Sequence, residues 1–508
     1  MSRTDNALRN ITTIWMEKFI VMFASFVLRT VFIRTLGVKY VGLDGLFTNI
    51  LTMLSLTELG IGTAMTYSMY KPIADGDNDK LASIMSLYKR LYRYIALIIF
   101  ILGLLLVPVL KVFVKDPPAD INIYIVYTGF LLNTVLSYLF TYKRSMLTAN
   151  QMAYKYTLID MIAKIIILGC QSAVLLLFKN YYLYLFVLVL CSFAENAYVS
   201  LYVDKLYPFI KQKYVTVLAK EEKAYITKDV KALFLHKFGD FAINSTDNML
   251  ISAFINVATV GIVSNYNLII SGINTFINNF FSSLQASVGN LIVEENKEKQ
   301  LELLETMNFI GFWIYGFIAV GFYFFLTPVV TTLWGNDLAL EKEVVVLMVI
   351  SQYLTGLRYP LSTFKTAAGL YVQDKFVPLI QAVVNLGCSI IAVKIMGLPG
   401  IFLGTIASSV LVASWNRAYI VYKYAFGMGT KRYFIKYGLQ VMYILSIVFI
   451  MSKIYIVMPI TGTWGSIIIG IIICSIVYNG LILILFNRTK EFKKVKQIVL
   501  SKFFRRKS

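Results

Sequence analysis

Long apolar runs alternate with short polar stretches along almost the whole chain. A helix needs about 20 apolar residues to cross a hydrocarbon core of roughly 30 Å. Runs of this length predict about 14 transmembrane helices, with boundaries set by hydropathy. The predicted spans are 12–33, 41–69, 91–114, 121–142, 156–178, 182–204, 229–255, 258–291, 306–327, 343–364, 376–396, 400–422, 434–457 and 465–486. The pattern indicates an all-α polytopic membrane protein.

Some of these spans carry charged residues. Lys18 and Arg29 lie about three helical turns apart in the first span, so both project from one face. A charge at the bilayer centre costs about 2.5–3.5 kcal/mol on insertion scales, which predicts that this face lines a protein interior or an aqueous lumen. The alternative is that Lys18 extends to one membrane surface and Arg29 to the other.

Polar residues recur every three or four positions in further spans. A stripe of this regularity on an apolar helix must face something other than lipid. The seventh span has Lys237, Asp240, Asn244 and Asp247; the eighth has Asn267, Ser271, Asn274, Asn278, Ser282 and Gln285; the tenth has Gln352, Thr355, Arg358, Ser362 and Lys365. The amides and hydroxyls alone are equally explained by hydrogen bonds between helices. The cations favour a polar lumen.

The acidic residues within the spans have different predicted partners. Asp160 and Lys164 form an i, i+4 pair that we expect to neutralise itself. Asp240 and Asp247 share the face of Lys237. Glu58 and Glu195 have no local partner, so each either pairs with Arg29 across the bundle or binds a coupling proton or sodium ion.

The charge of the chain fits a membrane protein. The 508 residues are 58% hydrophobic and 15% charged, with a net charge of +21. In a soluble protein this charge would suggest nucleic acid. Here Lys and Arg lie in short loops, so we expect contact with membrane lipids and no nucleic acid. The excess of Lys and Arg in the loops on one side of the membrane predicts that both termini are cytoplasmic. The polar N-terminus predicts an uncleaved first helix.

No motif indicates enzymatic chemistry. The sequence has no phosphate-binding loop of the form GxxxxGK[ST], no Ser/His/Asp arrangement and only one histidine, His236. The four cysteines, each within an apolar run, form no CxxC pair. We therefore expect no enzyme activity, no metal and no cofactor.

The chain divides into two halves. The pair Lys18-Phe19 recurs as Lys237-Phe238, and Val41-Gly42-Leu43 recurs at the same offset as Val260-Gly261-Ile262. These matches predict two pseudo-symmetric lobes of six helices around a central cavity, in the manner of transporters built from repeats. The predicted organisation is an N-lobe at 1–204, a basic linker at 205–228, a C-lobe at 229–424, two extra helices at 425–486 and a basic amphipathic tail at 487–508.

The polar side chains of the lumen restrict the class of substrate. Arg and Lys hold phosphate oxygens by charge-assisted hydrogen bonds, whereas Asn, Gln and Ser suit sugar hydroxyls. This combination favours an amphiphile whose head is anionic and rich in hydroxyls.

Several segments resemble one family of membrane transporters. They are FIRTLGVKYVGLDGLFTNILTMLSLTELGIGTAMTYSMYKPIADGD at 32–77, YKRSMLTANQMAYK at 142–155, HKFGDFAINSTDNMLISAFINVATVGIVSNYNLI at 236–269 and QASVGNL at 285–291. They resemble the polysaccharide-transporter family, the bacterial lipid-linked oligosaccharide flippases of the multidrug, oligosaccharidyl-lipid and polysaccharide exporter superfamily. The resemblance covers most of the first 12 predicted helices. The last two helices carry no such motif.

The resemblance implies a flippase for undecaprenyl-pyrophosphate-linked repeat units in the bacterial cytoplasmic membrane, working by alternating access. The products feed capsule, exopolysaccharide or O-antigen synthesis, with a polymerase and glycosyltransferases as possible partners. By position, the pyrophosphate-binding cations of the related lipid II flippases match Lys18, Arg29 and Arg34. The eighth span has no cation, so Lys237 and Arg358 are the expected substitutes. The last two helices are expected to form a groove for the lipid tail.

The other roles are assigned as hypotheses on the same basis. The residues expected to contact sugars are Asn244, Asn267, Asn274 and Asn278, and the candidates for ion coupling are Glu58, Asp240 and Asp247. Three alternatives remain: a flippase for a teichoic-acid-type polymer, a multidrug exporter of the same superfamily, and a scaffold that recruits a glycosyltransferase without transporting anything.

Overall fold

The computed structural model describes residues 3–55, 61–211, 246–370, 372–459 and 462–504. These residues are almost entirely helical, and no strand occurs among them. The helices of the first part are α1 (Arg3–Thr35), α2 (Val38–Leu54), α3 (Ile61–Asp75), α4 (Asn78–Leu106), α5 (Ile123–Thr141), α6 (Arg144–Ala149), α7 (Ala153–Phe178) and α8 (Tyr181–Leu206). Residues 246–254 are also helical.

The second part continues with α9 (Val257–Glu294), α10 (Lys297–Trp334), α11 (Lys342–Ala367), α12 (Val377–Met396), α13 (Leu398–Ala425), α14 (Lys431–Val457), α15 (Trp464–Phe486) and α16 (Lys490–Phe504). Helix α13 includes two stretches of π-helix, at Ser409–Ser414 and Val421–Ala425. Such widened turns are frequent at functional sites because they re-aim the side chains that follow.

Within the described ranges, 11 helices are long and apolar enough to cross a membrane. They correspond to predicted spans 3–6 and 8–14. Helix α1 contains the first predicted span and, at 33 residues, is about 50 Å long. The second predicted span falls on α2 and α3, and most of the seventh lies outside the described residues. The prediction of an all-α polytopic membrane protein is confirmed.

The chain forms two compact units, residues 1–261 and 262–508. In the first unit, α1 packs along α7, α5 packs along α8, and Phe32 contacts the ring of Tyr184 edge-on at 4.9 Å. In the second unit, α10 packs on α11 and α12 packs on α13. The sequence repeat places the start of the second lobe earlier, at residue 229, and residues 212–245 lie outside the described ranges.

Hydrogen bonds within the apolar region attach the last two membrane helices to the second unit. Trp313 Nε1 in α10 donates to Asn479 Oδ1 in α15 at 2.8 Å. Tyr478 Oη donates to the Trp313 carbonyl at 3.1 Å, and Tyr443 Oη in α14 donates to the Tyr478 carbonyl at 2.7 Å. Because the alternative is an unsatisfied polar group in hydrocarbon, these bonds hold α14 and α15 on α10.

Helices α12 and α13 approach so closely that glycine is required where they cross. A Cβ at Gly400 would lie 2.3 Å from the backbone of Ala392, and a Cβ at Gly404 would lie 2.1 Å from Ser389 Oγ. We expect Gly400→Val to lower the free energy of unfolding by about 3 kcal/mol, the upper end for overpacking, because backbone atoms cannot move aside. Thermal unfolding in detergent measures this loss. Gly387→Val on the open face of α12 is the control, and an equal loss there would contradict the explanation.

Candidate functional site: a polar cavity in the first unit

A cavity of about 570 Å³ lies inside the first unit, between α1, α2, α5, α7 and α8. About half of its wall is polar, which is unusual within a bundle of membrane helices. The polar side chains that line it are Asp44, Thr48, Thr52, Ser55, Asn133, Thr134, Ser137, Tyr138, Thr141, Gln171 and Tyr184. The enclosing helices α5, α7 and α8 are long and apolar enough to cross a membrane, so the cavity lies at membrane depth.

Helical spacing explains why these residues meet. In α2 and α5 the polar positions recur every three or four residues, so each helix turns one polar stripe toward the cavity. The hydroxyls direct their protons to their own helices: Thr52 donates to the Thr48 carbonyl at 2.6 Å, Thr134 to the Phe130 carbonyl at 3.0 Å and Ser137 to the Thr134 carbonyl at 2.7 Å. Their oxygen lone pairs remain available, so the cavity mainly offers acceptors.

The charged member of the lining is Asp44. Its Oδ1 atom is buried and makes no hydrogen bond to any residue that the structure describes. Arg29 of α1 interacts electrostatically with both Asp44 and Tyr184. Arg29 therefore lies inside the first unit beside the cavity wall, opposite a carboxylate. Asp44 was not among the predicted site residues, although it forms a helically spaced stripe with Thr48 and Thr52 that the sequence displays.

Lys18 takes part in an ion-pair network between α1 and α7. Its Nζ lies 3.2 Å from Glu17 Oε2, and Glu17 Oε1 accepts a hydrogen bond from Lys164 Nζ at 2.7 Å. Lys164 therefore bonds to Glu17 of another helix, and the expected self-neutralising bond with Asp160 is absent from the described contacts. Lys18 stays 43% exposed at its side chain and remains accessible to a ligand.

Arg144 forms ion pairs with two other carboxylates of this region, Asp160 and Glu195. Its Nη1 lies 2.6 Å from Asp160 Oδ2, and its Nη2 lies 3.0 Å from Glu195 Oε1 and 3.2 Å from Asn196 Oδ1. Glu195, which has no local partner in sequence, is therefore paired with Arg144 and not with Arg29. The sequence does not single out Arg144, because this residue lies just past the end of the predicted span 121–142, where a cation normally faces water.

The predicted cations of the other helices have distinct surroundings. Arg34 is exposed in the last turn of α1. Arg358 Nη2 in α11 donates to Thr355 Oγ1 at 3.0 Å. Ser362 Oγ, one turn further on, accepts from Arg417 Nη1 of α13 at 2.9 Å. The structure thus places a second cation, Arg417, beside the polar stripe of α11.

Part of the predicted amide stripe forms contacts between helices. Asn274 Nδ2 in α9 donates to Gln352 Oε1 in α11 at 2.9 Å, and Gln352 donates back to Asn274. Asn278 Oδ1 accepts from Tyr315 Oη at 3.3 Å, whereas Asn267 is exposed. Lys365, the last residue of the stripe in α11, forms a buried ion pair with Asp374. These contacts match the alternative in which polar residues join helices.

Glu58, Lys237, Asp240 and Asn244 lie outside the described residues, whereas Asp247 lies in the helical segment 246–254. No group of three His, Cys, Asp or Glu residues capable of holding a metal occurs in the ranges that the structure covers.

An apolar groove of about 200 Å³ lies in the second unit between α9, α10 and α15. Its lining includes Ile269, Ile273, Phe317, Gly321, Phe325, Ile471 and Cys474. Almost no polar surface is exposed in this groove, so it suits a hydrocarbon chain. A Cβ at Gly321 would meet no atom within 4 Å, which leaves room along the wall of α10.

Comparison with known proteins gives matches in structure alone. No protein-family model matches the chain, and no curated protein matches its sequence. A solved structure of the lipid II flippase MurJ in an inward closed conformation aligns with a TM-score of 0.69 and 16% identity, covering 95% of this chain and 99% of MurJ. An inward-facing multidrug resistance MATE family transporter of the MOP superfamily aligns with a TM-score of 0.58 and 16% identity, covering 78% of this chain and 94% of the transporter.

A MATE transporter from Vibrio cholerae aligns with a TM-score of 0.57 and 15% identity, covering 84% of this chain and 98% of that one. At sequence identities of 15–16%, the structural similarity is evidence for the fold alone. Because the MurJ alignment runs over nearly the full length of both chains, it includes the last two membrane helices. The protein therefore has the polytopic all-α fold shared by the lipid II flippase MurJ and the MATE transporters of the MOP superfamily.

Proposed function

We propose that the protein is a flippase that moves undecaprenyl-pyrophosphate-linked oligosaccharide units from the inner to the outer leaflet of the bacterial cytoplasmic membrane by alternating access. The observation that carries this proposal is the polar cavity with Arg29 and Asp44, within a fold that matches a lipid II flippase over 95% of the chain. The polymer served is capsule, exopolysaccharide or O-antigen, and both termini are cytoplasmic.

The chemistry of the cavity supports a carbohydrate head. Sugar hydroxyls are donors as well as acceptors, and the cavity presents the oxygens of Asp44, Thr48 and Asn133 together with the amide of Gln171. A site built on such hydrogen bonds discriminates strongly against ligands that lack hydroxyls, because its buried polar groups would then be left unpaired.

In this proposal the cationic side chains bind the pyrophosphate. Lys18, Arg29, Arg34, Lys237 and Arg358 are the proposed pyrophosphate ligands, joined by Arg417 on the basis of its position next to Ser362. The proposed sugar contacts are Asn244, Asn267, Asn274 and Asn278, and the proposed ion-coupling residues are Glu58, Asp240 and Asp247. Asp44 joins the coupling candidates because it is an ionisable group in the cavity wall.

The polyprenyl tail is proposed to lie in the apolar groove between α9, α10 and α15. We expect Gly321→Trp to reduce transport roughly tenfold, because displacing even two carbons of the chain forfeits about 1.6 kcal/mol of burial. This loss is measured as the amount of lipid-linked repeat units that accumulates in the inner leaflet. Gly387→Trp, which places the same ring on the open face of α12, is the control. Equal transport by the two variants would exclude the groove as the tail site.

The experiment that tests the function compares a deletion strain with the same strain carrying the wild-type chain. Surface polysaccharide and lipid-linked repeat units are measured together. The proposal predicts that deletion removes surface polymer and accumulates the lipid-linked intermediate, and that the wild-type chain restores both. Unchanged surface polymer in the deletion strain would contradict it.

The multidrug exporter is the second candidate, supported by the MATE alignments at TM-scores of 0.58 and 0.57 and by the carboxylate in the cavity, which also suits an organic cation. It predicts drug sensitivity in the deletion strain with normal surface polymer. A teichoic-acid-type substrate predicts loss of that polymer instead. A scaffold for a polymerase or glycosyltransferase predicts that substitutions in the cavity have no effect.

A further inference from the structure

A second pocket, which we call the tyrosine pocket, lies in the second unit where α14 begins and α15 ends. Helices α10, α11, α13, α14 and the start of α16 enclose it. Tyr422, Tyr433 and Tyr437 form one wall, with ring centroids 5.6 Å apart for Tyr422 and Tyr433 and 6.3 Å apart for Tyr433 and Tyr437. Such a wall attracts a cation through the faces of its rings.

The mouth of the tyrosine pocket carries charges of both signs in alternation. Lys436 Nζ lies 3.0 Å from Glu305 Oε2 and 2.6 Å from Glu491 Oε1. Arg432, an exposed residue that does not itself line the pocket, has its Nε 3.8 Å from Glu305 Oε1 on the other side. Two carboxylates therefore interleave with two cations. A ligand that carries one positive and one negative group complements this pattern better than an ion of either sign.

Glu491 is ionised in this arrangement. It lies in the first turn of α16, outside the membrane-spanning helices. Partial burial alone would raise the pKa of Glu491, but the hydrogen bond and charge of Lys436 outweigh burial and hold that pKa below its usual value. The carboxylate therefore carries a negative charge at neutral pH, which attracts an ammonium group.

The inner part of the pocket is adapted to an amphiphile. Asn308 Oδ1 is buried and makes no hydrogen bond to any described residue, which leaves an acceptor beside the ring of Tyr422. Phe309, Leu357 and Phe486 form an apolar floor. Leu439 lines the pocket but is 61% exposed, so the pocket is open on the outer face of α14.

The depth of the pocket matches the headgroup region. Its α14 residues run from Tyr433 to Gln440, within roughly 14 Å of the helix start at Lys431. Charged and tyrosine side chains at this level are typical of the boundary between hydrocarbon and headgroups. A ligand with its head in the tyrosine pocket would extend its tail past Leu439 into the bilayer.

We propose that the tyrosine pocket binds a phospholipid with a zwitterionic primary-amine headgroup, phosphatidylethanolamine. Its ammonium group lies against Glu305, Glu491 and the tyrosine rings, and its phosphate accepts hydrogen bonds from Lys436 and Arg432. A headgroup without an ammonium leaves the carboxylates facing a phosphate. A trimethylammonium group has no N–H with which to bond to Asn308 and the carboxylates.

Native mass spectrometry of the purified full-length protein tests this assignment. The probes are phosphatidylethanolamine, phosphatidylglycerol and phosphatidylcholine with identical acyl chains. We expect retention of phosphatidylethanolamine to exceed that of the other two by at least about fivefold, and Glu305→Gln to remove this preference. Glu302→Gln is the control, because Glu302 lies one turn earlier on α10, pairs with Lys494 and does not line the pocket.

A second pair of variants separates a loss of lipid binding from a loss of folding. Leu439→Trp blocks the opening from an exposed position and is expected to lose the preference, whereas Leu445→Trp, equally exposed on α14 but outside the pocket, keeps it. Thermal unfolding without added lipid identifies folded variants. Equal retention of phosphatidylglycerol by the wild type, or an unchanged preference in folded Leu439→Trp, would overturn the proposal.

Discussion

Arg29→Gln is expected to reduce the proposed transport roughly 10- to 100-fold, because the proposal assigns to Arg29 a charge-assisted hydrogen bond to pyrophosphate, and such a bond is worth about 1.5–3 kcal/mol. The same change removes the positive charge that interacts with the buried Asp44, so we also expect a lower free energy of unfolding. The measurements are surface polymer together with accumulated lipid-linked units, and thermal unfolding of the purified protein.

A double variant separates the two effects. Arg29→Met with Asp44→Leu removes both charges and is expected to regain most of the stability, since a buried pair replaced by apolar residues of similar volume is often neutral. Transport is expected to stay low because the proposed pyrophosphate ligand Arg29 and the cavity carboxylate Asp44 are both gone. Arg9→Gln, at an exposed position nearer the start of the same helix and outside the proposed pyrophosphate ligands, is the control for charge on α1. A double variant that transports normally would exclude this pair from the substrate path.

The second large effect is expected at Arg144, which holds two carboxylates at once. Arg144→Met leaves Asp160 and Glu195 unpaired in a largely buried region, so we expect a loss of about 3–5 kcal/mol in the free energy of unfolding. Arg144→Lys is expected to recover only part, because an ammonium cannot reproduce the fork that a guanidinium offers to two carboxylates. Denaturant or thermal unfolding in detergent measures both variants.

The neighbouring Lys143 provides a matched control. It pairs with Asp204 at 2.7 Å, but Lys211 also lies 3.6 Å from the same carboxylate, so Lys143→Met leaves Asp204 a partner. We expect a smaller loss than for Arg144→Met, because Lys211 keeps a positive charge beside Asp204. The combination Arg144→Met, Asp160→Asn and Glu195→Gln removes every charge of the cluster and is expected to restore stability toward wild type. If Arg144→Met were no more damaging than Lys143→Met, the cluster would not be a buried network.

The helices and their order follow from the sequence. Runs of about 20 apolar residues leave the backbone no alternative to helix in hydrocarbon, so hydropathy alone predicts each of the 11 helices that the structure shows to be long and apolar enough. Because these segments must be helical, the polar stripes on α9 and α11 can also be recognised in the sequence: polar residues spaced three or four positions apart share one helix face. Arg29, singled out by this logic, interacts electrostatically with Asp44 and Tyr184 of the cavity lining, and its role in a lumen stays a prediction.

The partners of the charged residues were decided by tertiary structure. Spacing along one helix predicted a bond between Asp160 and Lys164, yet Lys164 bonds to Glu17 of α1 and Asp160 to Arg144 of α6. Asp44 and Gln171, far apart in the chain, meet in one cavity because α2 and α7 both line it. The sequence determines which groups cannot face lipid. The partner of each charged side chain depends on helix packing. Coulomb attraction depends on the distance between two charges, and for charges on different helices that distance is fixed only when the helices pack.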